Sequence, residues 1–175
     1  ENKIEDSPQD AIAIKELGQV FLLQNNFQEA KKYFKNVVKI APRYFPDVLI
    51  MYEKQIINDY KNIALRLSLT DLYISNNQYK QALDELYDII ELDTNNRSAY
   101  KKIARIFIKF RAYNKIVELL AEHEDFCLED EELTDLYTSS LIEMSDTPKA
   151  ISVYEKMLLN NPGDVRIIKT LSEFY

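Results

Sequence analysis

Glycine, cysteine, histidine and tryptophan are nearly absent from this chain of 175 residues, which has 2 Gly, 1 Cys, 1 His and no Trp. Two glycines are too few for the many tight turns of β-sandwiches, barrels and propellers. They stand at positions 18 and 163, which excludes a glycine-rich phosphate-binding loop. One cysteine cannot form an internal disulfide, and one cysteine with one histidine cannot make a structural zinc site.

Long apolar runs and an excess of positive charge are missing too. The longest apolar run, at 48–52, has about five residues, whereas a membrane-spanning helix needs about 18. The chain has 22 Lys and Arg against 29 Asp and Glu, a net charge of −7, which disfavours phosphate backbones. We therefore expect neither a nucleic-acid partner nor membrane insertion by this segment. The expected compartment is the cytoplasm; a periplasmic or membrane-anchored parent protein stays open, because the chain begins at Glu1 and not at Met.

What the chain does contain is apolar and aromatic surface. Hydrophobic residues make up 46% of it, with 12 Tyr and 8 Phe, which is enough to fold around a buried core. Because turn residues are so few, the composition predicts an all-α protein.

The apolar pattern repeats with a period of 34 residues, when frames begin at positions 11, 63, 97, 131 and 165. The first two frames are 52 residues apart and the others 34. The eighth position of each frame is small: Gly18, Thr70, Ala104, Thr138 and Ser172. The twentieth position is small in three of four copies: Ala30, Ala82, Ile116 and Ala150. Pro42 and Pro162 end two of the copies.

This pattern predicts two amphipathic helices in each unit, joined by a short polar turn such as that at 24–26. Small residues at the eighth and twentieth positions let the two helices approach closely, and large apolar residues fill the space around them. A single hairpin cannot bury its apolar face, so consecutive units stack into one core.

The small, aromatic, alanine, aromatic and proline positions resemble those of the tetratricopeptide repeat family. The third copy matches less well, because Ile116 replaces the small residue and His123 stands where an apolar residue is usual. The resemblance implies a right-handed superhelical solenoid of antiparallel helix hairpins with a concave groove. It also implies a non-enzymatic role in protein–protein interaction, without a cofactor.

The frame predicts the domain organisation. The segments are a flexible N-terminus at 1–10, repeat 1 at 11–44, an extra helix at 45–62, repeat 2 at 63–96, repeat 3 at 97–130, repeat 4 at 131–164, and the first helix of a truncated fifth repeat, or an end helix, at 165–175.

The extra segment at 45–62 interrupts the period. It predicts a helix from about Asp47 to Asp59, with Pro46 in its first turn. An odd helix reverses the direction of the helices that follow it. Alternatively, about 16 residues near Phe45 are missing from the chain, and adding them would complete two full repeats.

Candidate catalytic groups are few. His123 and Cys127 are four residues apart, but no third orienting group or oxyanion site accompanies them. The acidic residues at 122–135 lack the spacing and the glycine of a calcium-binding loop, and we interpret them as a solvated repeat junction. We predict neither enzyme activity nor a metal site.

The fifth, ninth and thirteenth positions of each first helix share one face, and the resemblance to tetratricopeptide repeats implies that this face lines the concave groove. In the third copy it is entirely basic, with Lys101, Arg105 and Lys109, and Lys102 reinforces it. The predicted groove residues are completed by Asp71, Asp135, Ser139 and Glu143. Two interpretations stay open: the basic row pairs with acidic residues of neighbouring helices, or it binds the acidic side chains of a protein or peptide partner.

A second functional hypothesis is structural assembly within a larger complex. The helix at 165–175 and the helix at 46–60 would then form subunit contacts, and the uncapped C-terminal end would allow self-association.

Overall fold

We analysed a computed structural model that describes the chain from residue 8 to residue 175. Residues 1–7, most of the segment predicted to be flexible, lie outside the described residues. Contacts divide the chain into an N-terminal unit that ends at Thr94 and a C-terminal unit, Asn95–Tyr175. The described part contains helices but no strands, so the predicted all-α fold of helix hairpins with one extra helix is confirmed.

The N-terminal unit has five helices. They are α1 (Pro8–Leu23), α2 (Phe27–Ile40), α3 (Phe45–Asn58), α4 (Ile63–Ser75) and α5 (Tyr79–Leu92), with a 3-10 turn at Pro42–Tyr44. The C-terminal unit has six. They are α6 (Arg97–Lys109), α7 (Tyr113–Ala121), α8 (Glu124–Leu128), α9 (Glu131–Glu143), α10 (Thr147–Asn160) and α11 (Val165–Phe174).

Four helices begin with the same side-chain cap, at positions spaced by 34 residues. The side-chain oxygen of each cap accepts a hydrogen bond from the backbone N–H three residues on, at 3.0–3.2 Å. The caps are Asn62, Asn96, Asp130 and Asp164, which precede α4, α6, α9 and α11. Asn and Asp satisfy the backbone donors that a helix leaves unpaired in its first turn. The sequence analysis overlooked this second periodic signal.

The small positions of the repeat are buried where hairpins pack. Thr70, Ala104 and Thr138 are fully buried on first helices, and Ala82 and Ala150 on second helices. Leu17 differs from its equivalents, since 40% of its surface is exposed. It lies on α1, which has no preceding helix in the described range to cover that face.

The hairpin turns place a non-glycine residue in the left-handed region at the fifteenth position of each frame. These residues are Asn25, Asn77, Arg111 and Ser145, with φ between 53° and 64°. The conformation costs an L-residue about 1–2 kcal/mol, and asparagine tolerates it best. Two of the four turns therefore carry strain at a residue that is poorly suited to it.

We expect Arg111→Gly and Ser145→Gly each to raise the free energy of unfolding by about 0.5–1 kcal/mol, because glycine adopts positive φ without a steric penalty. Both side chains are exposed, so little packing is lost. Asn25→Gly is the control and should change stability by much less. Urea unfolding followed by circular dichroism measures all three, and an equal effect of the three substitutions would contradict the strain argument.

In the N-terminal unit, α3 reverses the direction of the next hairpin. The contacts of Phe45 with Tyr73 and of Tyr52 with Ser68 show that α3 and α4 are antiparallel. The contacts of α4 with α2 run in the parallel sense, since the Ser68 hydroxyl donates to the Phe27 carbonyl and Lys31 pairs with Asp71. A regular solenoid would make these two helices antiparallel, so the extra helix has the predicted consequence.

The core of this unit forms where α2, α3 and α4 meet. Phe34 and Tyr52 are fully buried, with ring centroids 5.6 Å apart. The Tyr52 hydroxyl and Ser68 Oγ share a hydrogen bond of 2.7 Å. Burial raises the pKa of Tyr52 to about 12. Close contact and polar pairing together fix α3 against α4.

In the C-terminal unit, the second helix of the third repeat is broken, and the prediction of one continuous helix there is wrong. It ends at Ala121, and α8 restarts at Glu124 after His123 leaves helical geometry at φ −125° and ψ 32°. The His123 ring packs at an edge against Tyr100 and Phe126, and its Nε2 lies 2.9 Å from the Tyr100 hydroxyl. These contacts hold the residue out of the helix.

The helix α11 packs on α10 along one side. Ile167 and Leu171 are buried in a cluster with Met157, whereas Val165, Ile168 and Tyr175 are exposed. Within the described range, none of the helices combines the length and the apolar character required to cross a lipid bilayer.

Candidate functional site

The basic row of α6 lies at the surface of the C-terminal unit. Ile103, Ala104 and Phe107 bury the opposite side of the helix, so Arg105 and Lys109 are exposed. Lys101 and Lys102 are half-buried at the start of the helix. The 3.6-residue period of the helix thus places the predicted residues on an accessible face.

Lys101 is held by two carboxylates that precede or begin α9. Its Nζ lies 2.8 Å from Asp130 and 3.3 Å from Glu132. The hydrogen bond from Asp130 raises the pKa of Lys101, an effect that burial partly opposes. Burial alone would raise the pKa of Asp130, but hydrogen bonds from Lys101 and from the Leu133 N–H outweigh it and lower this pKa. Lys101 is therefore a fixed part of the junction between α6 and α9.

Arg105 is in a different situation. Its guanidinium pairs with Glu132, but 63% of its side chain is exposed, compared with 25% for Lys101. Exposed ion pairs of this kind contribute about 0–1 kcal/mol. Arg105 is consequently the cation of the row whose described ion pair is the easiest to exchange for another carboxylate.

The predicted residues of α9 form a second exposed row. Asp135 pairs with Arg166 of α11 at 3.0 Å, and the Ser139 hydroxyl donates to the Asp135 carbonyl at 2.6 Å. Glu143 is exposed one turn further on. The carboxylates placed against Lys101 and Arg105 are thus those of Asp130 and Glu132, and the suggestion that Asp135 serves this purpose is wrong. Asp135 points its charge toward α11.

An open cleft of about 480 Å³ lies beside these rows. It is lined by Lys101, Asp135 and the four consecutive acidic residues 129–132. Its walls are charged, and it opens widely to solvent, so it suits a polar segment of a macromolecule better than a small apolar ligand.

Asp71 belongs to the N-terminal unit, on α4. Its carboxylate lies 2.8 Å from Lys31 Nζ of α2, with both side chains about one-fifth exposed. The reversal of α4 sets this pairing. A role for Asp71 in partner binding stays a prediction.

A groove between α1 and α3 was missed by the sequence analysis. Lys15 Nζ and Asp47 approach to 2.9 Å at one end, and apolar residues of both helices, among them Leu23 and Ile50, line the remainder. Two signals were available: the exposed-face position of Leu23 on α1, and the apolar residues of 48–51 beyond the buried stripe of α3.

His123 and Cys127 do not form a nucleophile pair. Cys127 is fully buried, its Sγ lies 3.8 Å from the Leu120 carbonyl, and burial raises the pKa of its thiol to about 12. His123 Nε2 is engaged with Tyr100. In the described range, no group of three or more Cys, His, Asp and Glu is arranged to hold a metal ion.

Comparison with known proteins agrees with this architecture. The sequence profile described as tetratricopeptide repeat matches residues 16–44, which cover most of α1, all of α2 and the turn between them. Among curated proteins, none matches the chain in sequence.

Solved structures of low sequence identity have a similar fold. MamA is 15% identical, with a TM-score of 0.56 over 91% of this chain and 96% of its own. A tetratricopeptide repeat protein from Parabacteroides merdae is 13% identical, with a TM-score of 0.51 over 96% of this chain and 73% of its own. YrrB, described as a TPR protein with an unusual peptide-binding site, is 14% identical, with a TM-score of 0.50 over 96% and 77%.

Tetratricopeptide repeat proteins are in general non-enzymatic scaffolds that bind other proteins. Residues 16–44 form a tetratricopeptide repeat, and the chain has the all-helical fold of tetratricopeptide repeat proteins.

Proposed function

We propose that this chain is a non-enzymatic protein–protein interaction module that binds a partner segment along the exposed rows of α6 and α9. The observation that supports this proposal is the exposed ion pair of Arg105 with Glu132 beside an open charged cleft. Such a surface offers charged groups to a partner without unfolding any packed element.

The partner segment carries an acidic side chain that engages Arg105. Because the pair with Glu132 is exposed, exchange of one carboxylate for another costs little, and a guanidinium binds a carboxylate in a bidentate manner. Lys102 and Lys109 add positive charge on the same helix. Lys101 holds the framework, since both of its partners belong to the repeat junction.

The row of α9 receives the other side of the partner. Ser139 offers a hydroxyl, and Asp135 and Glu143 offer carboxylates, so polar or basic side chains fit there. A segment with mixed charge is thereby oriented between a basic and an acidic helix. The description of a peptide-binding site in YrrB, which shares the fold, is consistent with this role.

We expect the double variant Arg105→Glu and Lys109→Glu to lose its partner while staying folded, because both side chains are exposed. Chemical cross-linking in cell extract, followed by affinity capture and mass spectrometry, measures partner recovery. A reduction of at least about tenfold is expected, the equivalent of one lost charged contact.

The matched control is Lys39→Glu and Lys80→Glu, which changes the net charge equally at exposed positions of α2 and α5. This control should recover the partner normally. Equal recovery by both double variants would count decisively against the proposal. Recovery of the chain's own copies alone would instead favour the second candidate function, assembly through α11, whose Val165, Ile168 and Tyr175 are exposed.

A further inference from the structure

We propose that the groove between α1 and α3 binds a partner peptide through one bulky apolar side chain that stands next to an acidic residue. The groove lies in the N-terminal unit and depends on α3, the helix that interrupts the 34-residue period. This second binding site does not depend on the surface of α6 and α9.

The size of the groove suits a side chain. Its volume is about 250 Å³, somewhat below the range of about 300–1,000 Å³ that accommodates drug-sized ligands. One end is closed by the ion pair of Lys15 with Asp47, and Lys15 Nζ also lies 4.6 Å from the centre of the Tyr44 ring. These contacts hold the mouth of the groove in shape.

The groove is apolar on its floor and on both rims. Leu22 forms the floor and is 1% exposed, whereas Leu23 and Ile50 are 58% and 49% exposed. Single exposed apolar residues are ordinary on protein surfaces. Here two of them, from different helices, border the same concavity together with Met51, whose flexible thioether adapts to different shapes. Such a patch favours an apolar occupant.

Charge decides which apolar occupant fits. Asp47 already neutralises Lys15, but Lys54 at the rim is exposed and has no ion pair among the described residues. The groove is therefore locally positive in a chain whose net charge is −7. Gln19 and Gln55 place amide groups along the walls, where they can bond a peptide backbone. A carboxylate beside the apolar side chain complements Lys54.

The experiment selects a displayed library of random heptapeptides on the full chain. We expect the enriched sequences to share a large apolar residue adjacent to Asp or Glu. One enriched peptide is then synthesised with a fluorophore, and its Kd is measured by anisotropy. Leu23→Ser with Ile50→Ser should weaken binding by about tenfold or more, and Lys54→Glu by about three- to tenfold. Replacing the peptide's acid by its amide should remove the effect of Lys54→Glu.

Matched controls separate this site from general surface effects. Ile57→Ser changes a residue of α3 that is 79% exposed and outside the groove, and Lys39→Glu changes an exposed lysine of α2. Both should bind normally. Enrichment of no common motif, or binding that ignores Leu23→Ser with Ile50→Ser, overturns the proposal. Sensitivity to Arg105→Glu and Lys109→Glu instead would support the α6–α9 surface and overturn the groove.

Two other occupants are outcomes of the same series. If light scattering shows a dimer that Leu23→Ser with Ile50→Ser dissociates, the occupant is a second copy of the chain, and the proposal is wrong. If peptides bind only after residues 1–7 are deleted, the chain's own N-terminal segment occupies the groove, which also overturns it.

Discussion

Replacement of Gly18 by alanine is expected to lower the free energy of unfolding by about 2 kcal/mol, although alanine is the better helix former. A Cβ atom at this position would stand 2.7 Å and 2.8 Å from two ring carbons of Phe34. That ring is fully buried and cannot move into solvent. Overpacking of this severity costs about 3 kcal/mol, and the gain in helix propensity offsets only about 1 kcal/mol. Urea denaturation followed by circular dichroism measures the difference.

The control for this substitution is the only other glycine. A Cβ at Gly163 would meet no atom within 4 Å, and its φ is not positive. Gly163→Ala should therefore raise stability by about 0.4–1 kcal/mol. Phe34→Leu supplies a second test, because a smaller side chain leaves room for the new methyl group. The double variant with Gly18→Ala should be less destabilised than the sum of the single variants by about 1 kcal/mol. Strict additivity would mean that the close approach of α1 and α2 is not the cause.

Removal of one hydroxyl group is expected to have opposite effects at two buried tyrosines. The hydroxyl of Tyr137 is buried and has no hydrogen-bond partner, whereas that of Tyr52 pairs with Ser68 at 2.7 Å. An unpaired buried polar group costs about 1–3 kcal/mol. Tyr137→Phe should therefore raise the free energy of unfolding by about 1–2 kcal/mol, and Tyr52→Phe should lower it by about 1 kcal/mol, since Ser68 keeps its bond to the Phe27 carbonyl.

Both tyrosines are fully buried and both changes remove a single oxygen atom, so each variant is the control of the other. Thermal unfolding measured by calorimetry gives the two shifts in Tm. A loss of stability in Tyr137→Phe would show that its hydroxyl is satisfied in solution, for example by a buried water molecule. A gain in Tyr52→Phe would contradict the role of the Tyr52–Ser68 bond in joining α3 to α4.

The fold was predictable because its signals are local in the sequence. Small residues at fixed positions, such as Thr138 and Ala150, report where two helices touch, and the scarcity of glycine reports the lack of strands. The break at His123 was not predictable, because it depends on contacts with Tyr100 and Phe126. Sequence spacing marked His123 as unusual but could not indicate that its ring would leave the helix.

The candidate surface was predictable only in part. Helical periodicity places Arg105 and Lys109 on one face, and the structure exposes them as that periodicity requires. The ion partners of the row were not predictable. Glu132 faces Arg105, whereas Asp135, only three residues away, turns to Arg166. A choice of this kind depends on the register of packed helices.

The sequence by itself determined the all-helical architecture, the 34-residue repeat and the acidic composition, since propensity, caps and small contact positions act within one or two turns of helix. The tertiary structure decided which charges meet, which apolar residues stay exposed and in which direction α4 runs after α3. These features depend on distances between residues remote in sequence, such as Lys15 and Asp47, or Lys31 and Asp71. Packing sets those distances, and a shift of a few ångströms changes the partner of a charge.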